Sequence, residues 1–424
     1  MKRISYIILY IVFTGVTVTA QEVYSLKRCI EIGLERNYSI RIVRNEQQIS
    51  SNNATAGNAG YLPAADLSSS FSGTANDTEA ANVGLNVSWT IFDGFGIQAE
   101  YARLKELRNI GELNTRMTIE DFIATISSEY YNLIRQKIRL NNLHSTLSLS
   151  KERLRIVEEE YFIGSMSRLD LQQAQVDFNT DSSAVLNQLE ALHRSYTRLN
   201  ELMAFGNVDE QLFLKDSVIT PNPFLDEVEL WKRTMETNVS LLIAQRNYTI
   251  SELDYKKAKS RNYPYLRLNA GYGYATNLYG ADAASLNYGV TLGMTLFDGF
   301  NRRRELRNAR IQIQNRELRR QELELMLRTD MSNQWMAYQN NLNLWKLEKE
   351  NLVAAQEYYQ IAIERYKLKE LSGIELREAQ NSLLGAEERQ SIAEYATKLC
   401  EISLLQLSGQ IMHYLNPEPE KASF

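Results

Sequence analysis

The stretch Val83-Gly84-Leu85-Asn86-Val87-Ser88-Trp89-Thr90-Ile91-Phe92-Asp93-Gly94-Phe95 holds two structural signals in succession. Up to Ile91 every second residue is apolar and those between are small or polar, the period of a strand with one apolar face. Asp93 and Gly94 then break the pattern, a carboxylate suited to capping a helix beside a residue free to turn the chain. The stretch recurs 205 residues later as Tyr288-Gly289-Val290-Thr291-Leu292-Gly293-Met294-Thr295-Leu296-Phe297-Asp298-Gly299-Phe300. The same displacement carries Tyr161…Leu171-x-x-Ala174-Gln175 onto Tyr366…Leu376-x-x-Ala379-Gln380. A displacement of 201 carries Asn37-x-Ser39 onto Asn238-x-Ser240 and Pro63 onto Pro264. Two copies of one unit thus fill the chain. They divide it into a first repeat (21–204), a linker (205–225, with Gly206, Pro221 and Pro223), a second repeat (226–412) and a proline-bearing tail (413–424) expected to be disordered.

A second alternating segment precedes each of these, Leu67–Gly73 in the first copy and Leu266–Tyr274 in the second; the last strand is expected over Leu286–Leu296. Segments of about ten residues suffice for a tilted strand to cross a bilayer. A half-buried sheet in a soluble domain has the same period, but the flanking segments read as long helices with nothing to cover the apolar face. Four strands cannot close a barrel, whose smallest membrane form has about eight, and open edges cannot face lipid. Several chains would have to pool their strands. The polar face, with Gly84, Ser88, Gly289 and Gly293, suits a water-filled interior. The loops Thr74–Ala80 and Asn277–Ser285 are polar.

After each Phe-Asp-Gly-Phe the period lengthens. Ile119, Ile126, Leu133, Leu140, Leu147, Leu154 and Tyr161 recur every seventh residue, as do Met331, Tyr338, Trp345, Leu352, Tyr359 and Tyr366. Sustained heptads predict coiled-coil packing. A helix from 95 to 164 would reach roughly 105 Å. A turn at Gly164–Ser167, or at Glu370–Gly373, sends the chain back as a second helix to about Met203 or Met412. Shorter helices are expected near 25–58 and 226–260.

Composition narrows the class. The net charge is −5, without the basic excess of a nucleic-acid binder. One uncharged apolar run, Ile4–Val18, follows Lys2 and Arg3 and precedes Val18-Thr19-Ala20, the pattern of a secretory signal peptide over 1–20. An uncleaved anchor is the alternative, although about 15 apolar residues fall short of a span. Two cysteines, Cys29 and Cys400, and three separated histidines supply neither a disulfide framework nor a metal cluster. No cofactor is expected. Gly271-x-Gly273 lacks a third glycine, and no P-loop, HExxH or GxSxG occurs, so an enzyme is not indicated.

Tyr161-x-x-Gly164-x-x-Ser167-x-x-Asp170-Leu171-x-x-Ala174-Gln175 at the first hairpin turn, the strand–Phe-Asp-Gly–helix junctions and the tandem repeat together resemble the TolC-type outer-membrane efflux protein family. The resemblance covers residues 24–412. It implies a mainly α chain with a small membrane β-sheet: a homotrimer whose four strands per chain make a 12-stranded outer-membrane barrel, continued by an α-helical barrel through the periplasm. It implies an exit duct that docks an inner-membrane pump through a periplasmic adaptor, surrounded by outer-membrane lipid. A non-conducting envelope-spanning coiled-coil adhesin or scaffold is the competing reading. The second copy matches at Tyr366, Ser372, Glu375, Leu376, Ala379 and Gln380 but has Lys369 in place of glycine.

Ser167-x-x-Asp170 and Ser372-x-x-Glu375 have capping-box spacing. Glu378 shares a helical face with Glu375. By resemblance Glu375 and Glu378, with Asp170, are candidates for a periplasmic gate, a cation-preferring constriction set against the simpler reading of a solvated face. The tips Gly164, Ser165, Met166 and Ser167, and Glu370, Leu371, Ser372 and Gly373, are candidates for adaptor docking. Asp93, Gly94, Asp298 and Gly299 are strand-to-helix junctions, with each aspartate expected to cap the helix that follows.

Overall fold

Both alternating segments of each copy are strands, and all four pair. In chain order the first copy runs α1 (Leu26–Arg36), α2 (Tyr38–Asn53), β1 (Ala64–Thr74), β2 (Thr78–Phe92), α3 (Gly96–Phe162) and α4 (Arg168–Leu202). The second runs α5 (Glu227–Thr237), α6 (Val239–Ser260), β3 (Tyr265–Asn277), β4 (Ala283–Gly293), α7 (Asn301–Lys367) and α8 (Gly373–Leu407). This computed structural model describes residues 23–74, 78–277 and 283–415. The segment expected to be a signal peptide and the tail beyond Leu415 lie outside the described residues.

The sheet is antiparallel in the order β1-β2-β3-β4. Its register brings like faces together. Leu67 pairs with Leu85, Leu85 with Tyr272, and Tyr272 with Leu286, so one face is apolar across all four strands. On the other face Ser68 pairs with Gly84, Gly84 with Gly273, and Gly273 with Ser285. A slip of one residue would mix these faces. The loops are shorter than the sequence suggested, because Thr74 already pairs with Thr78, leaving 75–77 and 278–282 outside the described residues. β4 stops at Gly293 rather than Leu296. Gly293 pairs with Tyr265, and the next partner would be Pro264, which has no N–H to give. Both outer edges, on β1 and β4, have no partner among the described residues.

At the strand-to-helix turn each aspartate, two residues before the N-cap, caps the helix that follows. Asp93 and Asp298 do not occupy the cap position itself; Phe95 and Phe300 do, with φ of +73° and +65°. Gly94 and Gly299 before them are also left-handed, at +74° and +69°. Two successive left-handed residues reverse the chain, and the aspartate reaches forward over them. Asp93 Oδ1 accepts from the Ile97 N–H at 3.0 Å, and Asp298 Oδ2 from the Arg302 N–H at 3.0 Å. A phenylalanine in this conformation costs about 1–2 kcal/mol. Edge-to-face contacts offset it, Phe92 with Phe95 at 5.2 Å and Phe297 with Phe300 at 5.4 Å.

The two long helices have 67 residues each and the two return helices 35 each. Residues Ala204 and Gly409, left-handed at +53° and +66°, end the return helices, which is why α8 stops at Leu407 instead of Met412. The chain then makes a 3₁₀ turn over Ile411–Tyr414 whose Tyr414 hydroxyl donates to Glu401, so it stays ordered past 413. The shorter helical region of each copy is broken by an asparagine. Asn37 Oδ1 accepts from the Ser39 N–H at 2.9 Å while its amide donates to the Leu202 carbonyl at 3.0 Å. Asn238 repeats both contacts with Leu241 and Leu407.

Near the strands the helices lie side by side as α2-α3-α6-α7; toward the hairpin turns the order is α4-α3-α8-α7. The main core sits between these levels, where α1, the end of α4 and the linker wrap α3 around Ile123, Ile126, Tyr130 and Leu133. The linker is held there: Val23–Tyr24 pairs with Phe213–Leu214, and the Tyr130 hydroxyl donates to Asp216 at 2.7 Å. Cys29 and Cys400 are buried free thiols, and burial pushes Cys29 up to about 12. Among the described residues no helix is long and apolar enough to cross a membrane.

The two junction glycines should differ sharply. A Cβ at Gly94 would lie 2.4 Å from the Ser260 carbonyl oxygen, whereas one at Gly299 would meet nothing closer than 3.8 Å. Gly299→Ala should therefore cost only the conformational penalty, about 1 kcal/mol. Gly94→Ala should cost several-fold more, read as a larger fall in melting temperature.

Candidate functional site

Each hairpin turn is built from the same local chemistry. α3 ends at Phe162, and Gly164 (φ +78°) lets the Ser165 N–H return to the Glu160 carbonyl at 2.8 Å. In the second hairpin Lys369 takes the glycine's place at φ +60°, and the Glu370 N–H reaches the Arg365 carbonyl at 2.9 Å. The turn is the same; the lysine bears a left-handed strain of about 1 kcal/mol. Its ammonium crosses to the other hairpin, 3.2 Å from Glu160 Oε1. Lys369 thus links the two tips instead of disturbing one.

The capping boxes are complete in both copies. The Ser167 hydroxyl accepts from the Asp170 N–H at 3.2 Å, and Asp170 Oδ2 accepts from the Ser167 N–H at 3.2 Å. Glu375 Oε2 accepts from the Ser372 N–H at 2.9 Å and from its hydroxyl at 2.7 Å, and these two bonds hold the carboxyl below its usual range. Asp170 and Glu375 therefore have structural work at the helix starts. Glu378 is exposed on the same helix as Glu375. The tip residues converge, since Ser165, Met166 and Asp170 line one cleft with Leu371, Ser372 and Gly373. Around the cleft Phe162, Ile163, Leu169, Leu368 and Ile374 are exposed.

Above the cleft a buried ionic cluster joins the hairpins. Arg153 donates to Asp177 at 2.8 Å, and Arg377 grips Asp181 through both terminal nitrogens at 2.7 and 2.8 Å. The Ser150 hydroxyl also donates to Asp181, and Arg377 Nε lies 3.8 Å from Asp177. The sequence reading missed this cluster. Its signal was Asp177 and Asp181 one turn apart in α4, on a face that also carries Ala174 and Val185.

The profile of the outer membrane efflux protein family matches residues 30–204 and again 231–410. The chain belongs to that family. It is an outer-membrane protein, and its helices extend into the periplasm. No curated protein sequence matches it. Solved structures of family channels share the fold at low identity. CmeC, the outer-membrane channel of Campylobacter jejuni, is 16% identical, with 91% of this chain and 85% of that one covered at a TM-score of 0.76. VceC of Vibrio cholerae is 16% identical over 91% and 96%, TM-score 0.73. CusC, described with the conformational changes of folding and transmembrane channel formation, is 18% identical over 90% and 91%, TM-score 0.75.

In this efflux protein Arg377→Met would leave Asp181 with Ser150 as its remaining polar partner. Stranding a buried charge this way should cost about 3 kcal/mol in denaturant unfolding. Adding Asp181→Leu to Arg377→Met should recover most of that loss, because the charge is then gone as well.

Proposed function

We propose that three copies of this chain close into a 12-stranded barrel with a helical duct beneath it, the exit passage of a tripartite efflux or type I secretion system. The observation that carries this reading is the pair of sheet edges without a partner among the described residues, beside one continuous apolar face. Lipid tolerates no open edge, so β4 of one copy must pair with β1 of the next. The helices agree with that closure. α2 and α7 are outermost near the sheet, and each exposes a line of aliphatic side chains, Ile42 and Ile49 on one and Ile311, Leu318 and Leu325 on the other. Such lines call for a neighbour. The polar sheet face would then line the lumen.

The tips, with their exposed aliphatic and aromatic residues, are the proposed adaptor-docking surface, and an inner-membrane pump would supply the cargo. The duct itself catalyses nothing. Around a threefold axis Glu375 and Glu378 would contribute a ring of carboxylates that favours cations.

Protein extracted from outer membranes in mild detergent should have the mass of a trimer, and a monomer would overturn the barrel. In planar bilayers Glu375→Gln/Glu378→Gln should lower the preference for cations; unchanged selectivity would remove the ring from the mechanism.

A further inference from the structure

Between the two hairpin tips lies a cavity of about 490 Å³, within the range of roughly 300–1,000 Å³ for small-molecule sites. It is a partly open cleft lined by residues of one chain, and neither Glu375 nor Glu378 lines it. α3 presents Arg153, Ile156, Val157 and Glu160 to it, spaced as one helical face. α7 presents Tyr359, Ile363 and Tyr366, and α8 presents Gly373, Leu376 and Gln380. The middle is apolar and both ends are polar.

The polar ends are unfinished. Tyr359 and Gln380 are 6% and 5% exposed, yet neither the Tyr359 hydroxyl nor Gln380 Oε1 completes a hydrogen bond. The two groups are in electrostatic contact with each other, the Gln380 amide against the Tyr359 hydroxyl, short of a full hydrogen bond. Glu160 gives Oε1 to Lys369, while its buried Oε2 has no partner. Arg153 gives a terminal nitrogen to Asp177 and leaves Nε without one. Of the ten buried side-chain atoms without a partner among the described residues, these four line one cavity. A buried polar group left unmet is costly, so their clustering is a feature that a ligand would relieve.

The chemistry of the ligand follows from theirs. The Glu160 and Gln380 oxygens only accept, the Tyr359 hydroxyl both donates and accepts, and the walls between them are aliphatic and aromatic. From Arg153 to Glu160 the helix rises about 10 Å. We propose that this cavity binds a small amphipathic amine about 10 Å long: its ammonium on Glu160 Oε2, its apolar body between Val157 and Leu376, and a second donor at Gln380 and Tyr359. Both hairpins contribute, so an occupied site fixes their separation at the tips. The site needs neither trimer nor conduction, although its mouth includes Ser165, Met166, Leu371, Ser372 and Gly373 of the proposed docking surface.

The test uses the full mature protein in detergent, titrated by calorimetry with 4-(4-aminobutyl)phenol. The comparison compound is 5-(4-hydroxyphenyl)pentanoic acid, which carries a carboxylate in place of the amine. The wild type should bind the amine saturably and the acid not at all. Glu160→Gln, an exchange of one atom, should weaken the amine about tenfold by removing a charge-assisted hydrogen bond. Gln380→Leu should weaken it by a smaller factor, and Ile156→Trp, which fills the cavity, should abolish binding. No saturable binding of the amine, equal binding of the acid, or Glu160→Gln binding like the wild type would each overturn the proposal. Should Ile156→Trp fail to fold, Glu160→Gln decides alone.

Discussion

A backbone N–H or C=O without a partner in hydrocarbon costs several kcal/mol, and the outer edges of β1 and β4 each present a row of them. Nearly every larger feature of this chain can be read as a response to that constraint. Duplication supplies four strands from two short hairpins, and the register of β2 on β3 joins the two copies through the middle of the sheet. What remains open lies at the two extremes, one edge from each copy. In the proposed assembly those edges find each other across subunits. The aliphatic lines on α2 and α7 then fall along the same seam.

Below the sheet a different economy operates. The chain must pass from a strand to a 67-residue helix without loosening either. It does so with two left-handed residues, the second a phenylalanine, and accepts the strain because the ring packs against the one three residues earlier. A similar trade occurs at the second tip, where Lys369 occupies a glycine's conformation and its charge reaches Glu160. In both places backbone discomfort is exchanged for a side-chain contact that a glycine could not make.

These exchanges mark where the sequence was legible and where it was not. The strands could be read because a half-apolar sheet writes its period of two directly into Val83–Ile91 and Tyr288–Leu292. The long helices and the two capping boxes were equally open, since heptads and Ser-x-x-acid spacing are local signals. Asp93 and Asp298 were legible as capping carboxylates, but that they act across two left-handed residues was not, because nothing in Phe95 or Phe300 announces such a conformation. Lys369 looked like a departure from the family turn for the same reason. Asn37 and Asn238 were visible as a repeat, but their role depends on the Leu202 and Leu407 carbonyls, more than 160 residues away in the chain. The Arg153–Asp177 and Arg377–Asp181 pairs were hidden by distance too: heptad periodicity reports which face is inward and says nothing of charges that meet there. The tip cavity is of this kind, formed by three helix faces that no local pattern connects.

The equal lengths of corresponding helices also constrain how such a chain can change over generations. One residue inserted into α3 would lower its turn by about 1.5 Å and rotate everything beyond it by about 100°, while α7 stayed where it was. Lys369 would lose Glu160, and Arg377 would lose Asp181. Viable length changes in this lineage should therefore come in matched form, as whole-turn or heptad units gained or lost in both copies together. The two halves of the gene are then free to diverge in composition while remaining bound in length.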